Sequence, residues 1–288
     1  MRRMLCDEAR TGQWQWLIVV FICLPIIVCL LPPFANRVSR PDRGARQMAQ
    51  FNALNAAIEL FNNEFEGYPP SRANDVTGIP YCGALKLTEA MMGRDLFGFH
   101  SMSAFRADGK DPDGRVSLYA VDVREPDPNN LRLRRGPYLQ PENANAYRLV
   151  QIYGKGNTGP FSEDTFVLCD TYQRQRPSGE KSGMPILYYR ADASKTAHDA
   201  DNPDNPENIY RYMDNQVLLA LGVPGEPNQV HPLFDPECFY RNTRNTKNKK
   251  KAEPYRRDTF ILISAGYDGL YGTKDDICNF GLDLSRRR

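Results

Sequence analysis

The residues best suited to chemistry lie near the end of the chain. Asp268, Asp275 and Asp276 fall within nine residues, in the stretch Ser264–Asn279. Gly266, Gly269 and Gly272 lie among them and let the backbone turn back on itself. Calcium takes about 6–8 oxygens, mixing carboxylates with backbone carbonyls. A tight hairpin with converging carboxylates offers that kind of donor set. The competing reading is a plain turn, in which Asp-Gly is common for its φ preference alone. Lys274 also sets a positive charge beside the acids. A second acidic run, Asp108, Asp111 and Asp113, lacks the spacing of an EF-hand loop and reads as a turn.

Other chemistries find little support. The three histidines, His100, His198 and His231, are scattered, and none of the G-x-S-x-G, H-E-x-x-H or Walker A patterns occurs. The expectation is a protein that is not an enzyme, with no small-molecule substrate marked out. Lys plus Arg is 37 and Asp plus Glu is 35, a net charge of +2. Binding phosphate backbones needs a dense basic footprint, so nucleic acid is not expected as a partner. Of seven cysteines, Cys82, Cys169, Cys238 and Cys278 lie beyond the apolar amino-terminal run. An even set in that position suits an oxidising compartment and predicts at least one disulfide of unspecified pairing. Buried single thiols are the alternative.

These groups need a scaffold, and its elements can be read along the chain. Trp14–Leu31 holds 18 residues without a charge, the low end of a membrane-spanning helix. Twelve Leu, Ile, Val or Phe between Leu17 and Leu31 give roughly 4–7 kcal/mol of insertion free energy. The span is set at residues 14–35, after a short segment 1–13. A cleaved signal peptide is the rival reading, but Pro33-Phe34-Ala35 is a poor cleavage site. A second helix is predicted from Asp42 to Glu66, within an amphipathic segment 36–67. There Phe51, Leu54, Ile58, Phe61 and Phe65 form one apolar stripe. Gly67-Tyr68-Pro69-Pro70 stops it.

The remainder, 68–288, reads as a head rich in strands. Strands are predicted over Arg115–Val123, Tyr147–Tyr153, Thr165–Cys169, Ile186–Arg190 and Thr259–Ser264. Leu85–Met92 and Ile209–Leu221 look helical. One long helix followed mostly by strands predicts an α+β fold on a mainly antiparallel sheet. Two stretches read as surface insertions. Residues 192–207 are polar and proline-rich. Residues 241–257 hold eight basic residues and one acid, which reads as a solvated loop.

Three features in order resemble the major pseudopilin of bacterial type II secretion, and pilin-like proteins more broadly. They are the apolar amino-terminal helix with an amphipathic helix ending at Tyr68-Pro69, the segment Gly183-Met184-Pro185-Ile186-Leu187-Tyr188-Tyr189, and Ser264-Ala265-Gly266-Tyr267-Asp268-Gly269 followed by Asp276-Ile277. The resemblance covers about a third of the chain. It implies a pilin-like fold, a single pass through the bacterial inner membrane, a cytoplasmic amino terminus and an exported head. That orientation stands despite Arg37, Arg40, Arg43 and Arg46 after the span. It also implies a membrane partner, other pilin-like or secretion-system subunits as partners, and calcium held by Asp268 and Asp276, with Asp275 beside them. The family's leader ends in Gly before Phe, with Glu at the fifth mature position. Here Gly12 is followed by Gln13, and Leu17 stands at the fifth position. A buried Glu of that kind offsets a charge inside the bilayer. Its absence predicts that the chain is not cut after Gly12.

Overall fold

The structure, a computed structural model, describes residues 43–119, 128–226, 228–247 and 252–281. The expected segment 1–13 and membrane span 14–35 lie outside the described residues, as does the middle of the basic run. Among the described residues no helix is long and apolar enough to cross a membrane. Arg46–Arg288 forms one compact unit.

Helix α1 spans residues 43–65. Phe51, Leu54, Ile58 and Phe61 fall at steps of three and four, so they share one face. Each is at most 3% exposed, whereas Leu60 on the opposite side is 57% exposed. Glu66 takes a positive φ, and Pro69 and Pro70 bring no N–H to continue the ladder. Burying those four side chains contributes roughly 6–12 kcal/mol, an upper bound set by the extended-chain reference. Helix α2 (Gly83–Met92) is buried at all ten positions. Helices α3 (Leu149–Tyr153) and α4 (Pro236–Thr243) are short.

Strands β1 (Phe99–His100) and β2 (Arg134–Arg135) pair antiparallel. So do β3 (Ala146–Arg148) with β4 (Phe166–Leu168), and β5 (Arg174–Gln175) with β6 (Lys181–Ser182). Strands β7 (Leu187–Arg190), β8 (Phe260–Ser264) and β9 (Ile277–Cys278) form an antiparallel sheet in that order, with Tyr188 opposite Leu262. The described residues are therefore α+β.

Alternation along β7 and β8 sorts the core into two layers. Tyr188, Phe260 and Leu262 join the stripe of α1 and Leu87 and Met91 of α2. Leu187, Tyr189, Ile261 and Ile263 join Leu149, Ile152 and Tyr240 on the other side. A strand covered on both faces reads as an unbroken apolar run, which is why β8 is Phe-Ile-Leu-Ile before its serine. The outer edge of β7 is closed by side chains. Asn215 Nδ2 donates to the Tyr188 carbonyl at 2.8 Å, and the Arg190 N–H donates to Ser71 Oγ at 3.0 Å. These two bonds occupy backbone groups that a further strand would need.

Three local expectations are corrected. Of the strand expected over Arg115–Val123, residues 115–119 hold only a bridge from Ser117 to Lys110, and 120–123 lie outside the described residues. There the Asp111 carboxylate caps the N–H groups of Arg115 and Val116 and closes a turn instead. Tyr147–Tyr153 is a strand only to Arg148 and then becomes α3. Leu149, Ile152 and Tyr153 are the buried members, and their spacing of three and four is helical. Ile209–Leu221 is helical only over Tyr212–Asn215, as a 3-10 turn, and Gln216–Leu219. The stretch 192–207 is irregular, yet it is not merely solvated. His198 within it is 5% exposed and bonds the Tyr240 carbonyl at 2.8 Å.

Candidate functional site

The acidic loop joins β8 to β9. Gly266 opens it with φ +62, and a Cβ there would lie 2.2 Å from the Asp275 carbonyl. Only glycine lets the two ends of the loop close this tightly. Asp275 Oδ2 accepts the Asp268 N–H at 2.9 Å, and Oδ1 accepts the Thr273 hydroxyl at 2.6 Å. Asp268 Oδ1 accepts the Leu270 N–H, and its carboxyl lies close enough to that of Asp275 to interact with it electrostatically. Asp276 Oδ2 accepts the Gly272 N–H at 2.7 Å, and its Oδ1 lies 3.5 Å from the same Thr273 hydroxyl. Burial pushes the Asp276 carboxyl up to about 7. Burial and then the adjoining Asp275 raise Asp268, while the hydrogen bonds from Thr273 and Asp268 hold Asp275 low.

The loop thus brings Asp268 and Asp275 together, with Asp276 joined to them through the Thr273 hydroxyl. Among the described residues no three carboxylate, imidazole or thiol side chains close on one point as metal ligands. Nor does any of these three acids form an ion pair with a described basic residue. The donors fit calcium in kind: carboxylates, a hydroxyl and the carbonyls of a tight loop. A cation there would draw the rest of its shell from carbonyls and water.

The loop is tied to the segments that precede it. Asp170 is wholly buried between Gly183–Tyr189 and Ser264. Its Oδ1 accepts the N–H groups of Met184 and Tyr172 at 3.1 Å each, and its Oδ2 accepts the Ser264 hydroxyl at 2.8 Å. A Cβ on Gly183 would lie 2.1 Å from the Asp170 carbonyl, so this crossing needs glycine. The Tyr271 hydroxyl donates to the Pro185 carbonyl. Helix α1 joins the same knot. Gln47 Oε1 accepts the Thr171 N–H at 2.8 Å, and Asn279 after β9 donates to Asn55 at 3.0 Å. Burial lifts the Asp170 carboxyl to about 7 in spite of its hydrogen bonds.

A second buried carboxylate escaped the sequence reading. Glu89 of α2 is 1% exposed. It accepts the hydroxyls of Tyr81 at 2.6 Å, Tyr119 at 2.7 Å and Ser103 at 2.5 Å. It lies at a cavity of about 190 Å³ that Arg94 also lines. The one signal was an acid inside the apolar run Leu87-Thr88-Glu89-Ala90-Met91. His100, His198 and His231 are all buried, and burial lowers each imidazole below its ordinary value.

In place of the expected disulfide, Cys82, Cys169, Cys238 and Cys278 are free thiols. Cys82 and Cys169 pack as small apolar groups in the layer under α2 and β7, and burial raises both thiols. Compared with protein-family models, with curated proteins and with solved structures, the chain matches none.

Proposed function

We propose that this chain is a non-enzymatic, pseudopilin-like protein that serves a type II secretion or pilus-like machine. Residues 14–35 anchor it in the bacterial inner membrane, and its head is exported. The observation that carries this reading is one of arrangement. An amphipathic helix lays its apolar stripe on an antiparallel sheet, and the acidic loop closes the last two strands of that sheet beside the helix. The buried polar groups beside the sheet tie segments together. Asp268 and Asp275 would hold calcium, with Asp276 nearby. A bound cation would offset the repulsion between two adjoining carboxylates and stiffen the loop.

A second reading is favoured by one observation, Gln13 and Leu17 after Gly12 where the resemblance calls for Phe and Glu. In that reading the chain is a membrane-tethered, exported binding domain that does not assemble. Cross-linking in the native cell distinguishes the two. Assembly predicts a ladder of adducts with itself or with pilin-like subunits. A chain recovered only as monomer overturns the assembly reading and leaves the tethered domain.

A further inference from the structure

A cleft of about 330 Å³ opens beside the end of α1, away from the acidic loop residues. Its lining includes Arg72, Arg190 and Arg211, together with Asp192, Asp214 and Asp258. Formal charges cancel, and among the described residues no acid of the cleft stands within ion-pair distance of its arginines, although Arg211 acts electrostatically on Asp192 and Asp214, and Arg72 on Asp214. Asp214 accepts the hydrogen bond of the Ser71 hydroxyl, and the buried ammonium of Lys86 acts on it electrostatically. Burial also pushes the Asp214 carboxyl up to about 6, against the opposing pull of Ser71, Lys86, Arg211 and Arg72. Asp258 pairs with Arg257 at 3.4 Å. Asp192 caps its own turn, accepting the hydroxyl of Ser194 at 2.6 Å and its N–H at 3.2 Å.

The guanidinium groups of Arg72 and Arg211 make no hydrogen bond or ion pair among the described residues. Arg190 spends one nitrogen on the Tyr68 carbonyl at 3.0 Å and keeps the rest of its fork. A guanidinium presents up to five N–H donors in a planar fork that matches phosphate and carboxylate oxygens. Charge-assisted, two-point bonds of this type are the strong ones. The floor is rigid, since Ser71 and Asp214 are buried and Ser71 Oγ also accepts the Arg190 N–H.

We propose that this cleft binds a phosphate group through Arg72, Arg190 and Arg211. The proposal does not depend on the pilin-like reading. Free phosphate and the headgroup of an anionic lipid carry the same chemistry, and the test tells them apart. The full chain in neutral detergent is titrated with inorganic phosphate by calorimetry at fixed ionic strength. Saturable binding is expected, weakened about tenfold or more in an Arg72→Gln, Arg211→Gln double variant. Both side chains are exposed, so the fold should survive, and unchanged thermal unfolding checks that. An Arg115→Gln, Arg132→Gln variant removes equal charge elsewhere and should bind as the parent does. In the second arm the chain is mixed with phosphatidic acid vesicles and with phosphatidylcholine vesicles. Binding to the first that the double variant loses assigns the site to a lipid headgroup; phosphate binding without it assigns a soluble ligand. No saturable binding in either arm, or equal losses in the two double variants, overturns the proposal.

Discussion

Replacing Asp170 by Asn tests the knot that joins the two sequence motifs to the acidic loop. The carboxyl titrates at about 7 when folded, against 3.8 for an unperturbed aspartate. The folded state therefore binds a proton more tightly than the unfolded chain. Its stabilising share is present below pH ~4 and is lost as pH rises through 7. Three units at about 1.4 kcal/mol each give roughly 4 kcal/mol between pH 4 and pH 8, an upper bound on this group's share. Asn keeps an oxygen for Met184 and Tyr172 and can donate to Ser264 Oγ, so the hydrogen bonds survive without the charge. Urea unfolding of the full chain at pH 4.5, 6 and 8 reads the effect. The variant should gain stability relative to the parent as pH rises, and be the more stable protein at pH 8. Asp170→Ala should instead lose about 1–3 kcal/mol at low pH, because two buried N–H groups lose their acceptor. A difference between Asp170→Asn and the parent that stays constant with pH would refute the reasoning.

Two further outcomes follow from the core. Ile58→Ala should cost about 2–5 kcal/mol in urea unfolding, whereas Leu60→Ala on the exposed side of α1 should stay within about 0.5 kcal/mol; equal effects would mean the helix does not pack by this stripe. In native protein, alkylation should spare Cys82 and Cys169, which are fully buried, and modify them only on unfolding. Peptide mapping that finds either in a disulfide would contradict the assignment of all four thiols as free.

How far the sequence could be read depended on which interactions set each segment. Helix α1 was legible because its pattern is long and its stop is chemical, with a glycine and two prolines in four residues. Strands β7 and β8 were legible as unbroken apolar runs. Residues 149–153 were not, since a five-residue run of Leu, Val, Gln, Ile and Tyr fits either period. The acidic loop was found, but its internal order was not. Nothing in the spacing told that Asp275 turns toward the Asp268 N–H and Asp276 toward Gly272. Asp170 and Glu89 were missed because their roles come from partners 8 to 94 residues away. The cysteine count suggested a disulfide, yet a count cannot tell a bridge from thiols buried as apolar groups. The arginine cleft draws on residues 72, 190 and 211, which no local pattern connects.

Thermal unfolding of the full chain with millimolar calcium and with chelator tests the central claim most directly. With an affinity of about 10⁻⁴–10⁻³ M, as in extracellular modules, saturating calcium should add roughly 1–3 kcal/mol. That raises the midpoint by roughly 2–6 °C. An Asp268→Ala, Asp275→Ala double variant should lose the shift, and an Asp108→Ala, Asp113→Ala variant should keep it. Equal midpoints with and without calcium, or an undiminished shift in the first variant, would contradict a calcium-held loop in a pilin-like head.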